Sequence, residues 1–179
     1  MAFTNRTSNC SLGVPVDFYW YGCTDSRHIE AAINALMHAI DLPGRTWNPY
    51  LKASARSEFK RRLITASQGR LKPIEQVKSI NDHPSAPLFE IRWQHIRVME
   101  PAAAGDGGHG HDVCVRLLHC EPLNLGVVAI GLHAHEKALI PASHHRIREE
   151  QDAEILKAER LYHEGRPTNW GIGNALRRS

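Results

Sequence analysis

No apolar stretch of the chain approaches the length of a bilayer, so no segment reads as a membrane-spanning helix. The opening residues, MAFTNRTSNCSLG, are polar and lack the apolar centre of a secretory signal, so a cytoplasmic location is expected. Cysteine is scarce, with four residues at 10, 23, 114 and 120 and no CxxC spacing, which points to free thiols in a reducing compartment. Charge of one sign is also lacking. Lys and Arg number 22 against 19 acids, a net +3 that by itself cannot mark a nucleic-acid binder. Internal repeats are absent, and the only biased segment is AAAGDGGHGH, expected as a hairpin loop over 101–110.

What is present fits one ordinary domain. The 179 residues are 42% hydrophobic and 23% charged, enough for a real core. Residues 1–14 are expected to be flexible, 15–170 to form the domain, and 171–179 to be a short tail. VPVDFYWYG alternates as a first strand. RHIEAAINALMHAI follows, with Ile29, Ala32, Ile33, Leu36, Met37 and Ile40 at helical spacing and Asp25 or Ser26 as its cap. A second helix fits ASARSEFKRRLITASQG, stopped by Gly69. LKPIEQVKSI reads as a short helical turn.

The centre of the chain is strand-like. PLFEIRWQHIRVM, DVCVRLLHC and GVVAIGLHAHEK alternate apolar and polar residues and predict a three-strand meander. GVVAIGL is nearly all apolar, the pattern of a strand covered on both faces. A long polar helix, RIREEQDAEILKAERLYHEG, comes last, with Ile147, Ala153, Ile155, Leu156, Ala158 and Leu161 as its apolar stripe. The expected fold is therefore α+β: a small antiparallel sheet, made of the N-terminal strand and the meander, with helices packed on one side.

Arg92 and Arg116 fall on strand interiors, where a solvated charge is least expected. A strand arginine can pair with an acid such as Glu90, or it can hold an anion. The twelve histidines include two H-x-H pairs, His109/His111 and His133/His135. On a strand each pair shares one face, so together they could ligate zinc or iron.

Three blocks resemble the RelE/HigB group of the RelE/ParE toxin superfamily, in particular its phage-derived, host-inhibition-like branch. A basic helix leads into PLFEIRW, similar to the family's "glyElR" strand. VRLLHC resembles its "yRvly" strand. GLHAHEKALIPASHHRIREEQDAEILKAERL resembles its "hgFvKKtqktP…eI..A" ending. Together they cover roughly residues 50 to 165. The chain departs from the pattern in its N-terminal extension, in HAHE where a Phe is expected, and in Ala138 where a second lysine would stand. Glu136 also places a negative charge where RNA would approach.

The resemblance implies a RelE-like fold and the toxin of a toxin–antitoxin pair. Its activity would be that of an mRNA endoribonuclease on the ribosome, inhibited by a cognate antitoxin protein. The implied reaction is attack of a ribose 2′-OH on the adjacent phosphate, with no metal and no other cofactor. It points to Arg92 and Arg116 as phosphate clamps and to His133, His135 and Lys137 as further catalytic residues, with His119 as an additional histidine. Lys60, Arg61 and Arg62 would grip the RNA backbone. Two alternatives stand beside it. One is a metal-dependent enzyme using His109, His111, His133 and His135. The other is a non-catalytic phage or host protein-binding domain, docking through the last helix and an exposed Trp170.

Overall fold

The computed structural model describes residues 6–80, 85–100, 109–137 and 144–174, with side chains of the last segment described over 149–172. Strands β3 (Leu88–Glu100) and β4 (His109–Cys120) pair antiparallel along almost their whole length, and β5 (Val128–Lys137) continues antiparallel beyond β4. These three are the meander expected from the alternating pattern. Strand β2 (Val77–Ile80) adds antiparallel to β3, and β1 (Asp17–Trp20) lies parallel to β5. The order is β1-β5-β4-β3-β2, a five-stranded mixed sheet rather than a small antiparallel one. The segment expected as a helical turn, LKPIEQVKSI, supplies β2. Val77 to Ile80 find partners in Ile91 to Leu88, and pairing outweighs local propensity.

Helices α1 (His28–Ile40) and α2 (Pro49–Ser67) cover one face, while α3 (His144–Gly165) covers the other. The expectation of helices on one side is thus corrected. The reason lies in the strands, which are apolar on both faces. Ile91, Trp93, Val115 and Leu117 pack toward α1 and α2, whereas Leu88, Leu118, Cys120 and Ile130 pack toward α3. A sheet of that kind must be covered twice. Among the described residues no helix is long and apolar enough to cross a membrane.

Helix α2 begins where Pro49 follows Asn48, whose side-chain oxygen accepts the Leu51 N–H at 2.8 Å. It ends as expected at Gly69, which has φ +66°, and a Cβ there would lie 2.2 Å from the Val14 carbonyl oxygen. At the start of α1, Asp25 accepts from the Arg27 N–H at 2.9 Å, so it shapes the preceding turn and does not cap the helix itself. The stripe of α3 is narrower than expected. Ala158 and Tyr162 are buried, but Leu156 is 46% exposed, and the Ile147 side chain lies outside the described residues. Trp170 is not exposed: it is 6% accessible and rests on Gly165, where a Cβ would meet its ring at 2.1 Å. The loop expected at 101–110 lies outside the described residues up to 108.

The expectation of a flexible 1–14 also fails from Arg6 onward. Ser8, Asn9 and Cys10 are buried against the end of β4, around a Glu121 carboxylate with no solvent exposure. Ser8 Oγ donates to Glu121 at 2.5 Å, the Asn9 N–H donates at 2.8 Å, and His119 Nε2 lies 3.1 Å away. Arg6 Nη1 donates to the Glu121 backbone carbonyl at 2.8 Å, and Cys10 Sγ sits 3.9 Å from His119 Nε2. Short polar residues act here as a lock, because a buried carboxylate needs the Ser8, Asn9 and His119 donors.

Burial works against a charge on His119, but hydrogen bonding to Cys10 and Glu121 outweighs it and raises the His119 pKa to about 9. Burial likewise opposes the Glu121 charge, and its bond to His119 turns the balance so that its pKa is lowered. A histidine raised on folding stabilises fully below its unfolded value near 6.5 and loses that contribution as pH rises through about 9. A lowered carboxylate loses its contribution as pH falls below its ordinary range. Stability measured by urea unfolding should therefore fall by on the order of 2 kcal/mol from pH 6.5 to 9. His119→Asn should flatten that decline; an unchanged slope would refute the role of the pair.

Candidate functional site

The polar groups of the sheet gather under the first turns of α3. Arg92 on β3, Arg116 on β4 and His135 on β5 are direct cross-strand partners and form one row. Cys114 and Lys137 form the next row, and Leu118 and His133 the row on the other side. Of the residues expected to carry chemistry, Arg92, Arg116, His133, His135 and Lys137 are thus brought together on one face.

A β-bulge places the histidines there. Leu118 pairs with His133 and His119 with Gly131, which leaves Leu132 unmatched. Before the bulge Val128, Ile130 and Leu132 face α3; after it His133, His135 and Lys137 take that side, while Ala134 packs with the α1/α2 core. Glu136 turns the same way as Ala134 and is held by two hydrogen bonds from Arg45, so its charge is neutralised. That bond is the main cause that raises the Arg45 pKa.

Each group has a definite environment. Glu90 sits between the two arginines, 3.2 Å from Arg92 Nε and 3.4 Å from Arg116 Nε. Arg116 is only 4% exposed and donates through Nη1 to the carbonyls of Trp93 at 3.2 Å and Val115 at 3.0 Å. It is fixed in place, as a structural strand arginine would be, and is not free to clamp a phosphate. Arg92 donates to the Ile74 carbonyl at 2.8 Å but also lines a cavity of 240 Å³ beside Lys78, Glu90, Lys137 and Gln151.

His133 Nε2 lies 2.5 Å from Glu154 of α3, whose other oxygen accepts from Lys157 Nζ at 2.7 Å. The rings of His133 and His135 stack with centroids 5.8 Å apart. Burial, joined by the nearby His133, Arg116 and Lys157 charges, outweighs the pull of Glu154 and lowers the His135 pKa to about 4. Its imidazole is therefore neutral at pH 7. Lys137 has no ion pair or hydrogen bond among the described residues, and burial, then Arg116, lowers its pKa. A larger cavity of 720 Å³ is lined by His133, His135, Lys137, Glu154 and Lys157 and opens at the β5 edge that β1 leaves uncovered past Gly131.

Other expected residues lie elsewhere. Lys60, Arg61 and Arg62 are on α2, behind the sheet from this site, and each meets an acid: Lys60 with Glu30 at 3.5 Å, Arg61 with Glu58 at 2.8 Å and Arg62 with Glu58 at 3.5 Å. Arg62 also donates to the Arg92 carbonyl and lies over the Trp93 ring, so it is structural. His119 belongs to the buried lock. The four histidines proposed for a metal do not converge. His111 stands on the rim of the larger cavity, 3.8 Å from Glu100, and His109 is outside it. Instead, one ligand atom each from His133, His135 and Glu154 lies within 4.8 Å of the others, and Cys10, His119 and Glu121 meet the same criterion in the buried lock.

Glu154 is the site residue that sequence reasoning missed. Its signal was faint: an acid inside the stripe that also carries Ile155, Ala158 and Tyr162. Comparison with protein-family models, with curated proteins and with solved structures found no match.

Arg116→Ala should lower unfolding stability by about 2–4 kcal/mol, because Glu90 would lose a partner inside the fold. Lys137→Ala should stay within about 0.5 kcal/mol, since no ion pair is broken. Denaturant titration of both variants checks this; equal losses would contradict the division into a structural arginine and a free lysine.

Proposed function

We propose that the chain is a RelE/HigB-type toxin, an endoribonuclease that cuts mRNA in the cytoplasm on the ribosome and is held inactive by a cognate antitoxin protein. The observation that carries this reading is the gathering of Arg92, Arg116, His133, His135 and Lys137 on one sheet face beside an open cavity. The order strand, two helices, antiparallel meander and closing helix is consistent with it.

The roles follow from the local chemistry. With Glu154 accepting from His133 Nε2, the lone pair of Nδ1 can take the proton of a ribose 2′-OH. The 2′ oxygen then attacks phosphorus and the bond to the 5′ oxygen breaks, giving a 2′,3′-cyclic phosphate and a 5′-OH. Lys137 sits where it can contact the non-bridging oxygens. Its lowered pKa makes it a readier proton donor to the leaving oxygen than a solvated lysine. Arg92 can reach a phosphate from the smaller cavity, while Arg116 contributes charge from a fixed position. His135, neutral and buried, stacks on His133 and orients it. An acidic antitoxin segment that reaches Lys137 and Arg92 is the expected inhibitor.

The alternative of a protein-binding domain loses support, because Ala158, Tyr162 and Trp170 are used in the protein's own core.

Mapping mRNA 5′ ends before and after induced expression in bacteria tests the reading. New ends should appear with the wild type and fall at least about 100-fold with His133→Ala or Lys137→Ala. Lys60→Ala/Arg61→Ala should retain most cleavage. Unchanged transcripts from soluble wild-type protein would overturn the proposal.

A further inference from the structure

His133 and His135 reach toward α3 from β5, and Glu154 reaches back, so three ligand atoms from two elements lie within 4.8 Å of one another. A His133–Glu154 hydrogen bond alone would explain two of them. It does not explain His135, which is 9% exposed, has a buried Nδ1 without a partner, and forms no hydrogen bond among the described residues. Leaving a buried ring nitrogen unsatisfied is costly unless something else meets it. The neighbouring 720 Å³ cavity leaves room for a water to complete a coordination sphere.

We propose that His133, His135 and Glu154 form a binding site for a first-row divalent transition ion such as zinc, which ties α3 to β5. Two imidazoles and one carboxylate suit zinc, iron or cobalt and do not suit magnesium or calcium. The ion replaces the proton shared by His133 and Glu154. Lys157, bonded to the other Glu154 oxygen at 2.7 Å, stays in place as an outer partner that orients the carboxylate. This site goes beyond the ribonuclease reading, whose chemistry uses no metal. Where that reading holds, the ion occupies the histidine that would take the 2′-OH proton, so zinc switches cleavage off.

Binding is measured without RNA, on the full chain stripped by chelator and dialysed. Zinc is titrated in competition with a chromophoric chelator, with magnesium as a control, and thermal unfolding is followed at each zinc concentration. One zinc per chain and a zinc-dependent rise in Tm are expected. Glu154→Gln keeps the volume of the side chain, and both it and His135→Ala should bind at least about tenfold more weakly and lose the Tm rise. His109→Ala and His111→Ala should bind like the wild type.

Absence of saturable zinc binding overturns the site. So does wild-type affinity in Glu154→Gln, or loss of binding in His111→Ala. If His135→Ala fails to fold, Glu154→Gln with an unchanged zinc-free Tm decides. Zinc inhibition of cleavage is scored separately: zinc bound in the expected pattern by a protein that never cuts RNA supports the metal site and counts against the ribonuclease.

Discussion

A single unmatched residue in β5, Leu132, turns the strand over, and the placing of His133, His135 and Lys137 beneath α3 depends on it. Without the bulge, strict alternation would continue the α3 face through Ala134 and Glu136 and send His133, His135 and Lys137 toward α1 and α2. With it, an apolar half that anchors α3 gives way within one residue to a polar half that α3 overhangs. The same step sends Glu136 to Arg45, which neutralises its charge on another wall of the larger cavity.

The polar half is stable because its charges are ranked. Glu90 holds the two strand arginines, and the backbone carbonyls of Trp93 and Val115 take up what remains of Arg116. Glu154 is shared by His133 and Lys157. Lys137 is left over: a partly desolvated cation facing both cavities without an ion pair among the described residues. Charges neutralised in place give structure, and the one that is not is left open to a ligand.

Much of this was legible where the signal is local. The helical spacing of Ile29, Ile33, Leu36 and Ile40 gave α1, and alternation gave the meander. GVVAIGL even carried the mark of two-sided cover, which the expectation of helices on one side left unused. The rest is set by contacts distant in sequence. Nothing local distinguishes β2 from a helical turn, because Val77 to Ile80 become a strand only by pairing with β3. Ser8 and Asn9 read as a frayed end, since their partner Glu121 is more than a hundred residues away. Glu154 is one acid among many on a charged helix until the bulge points His133 at it. The arginines were found by position, but their burial and their sharing of Glu90 depend on register.

The most direct test of the account is the chemistry of the RNA ends made by purified protein with ribosomes and a translated mRNA. Attack by the 2′-OH, with His133 as base and Lys137 beside the phosphate, predicts 2′,3′-cyclic phosphate and 5′-hydroxyl termini. Ends bearing 5′-phosphate and 3′-hydroxyl would contradict it.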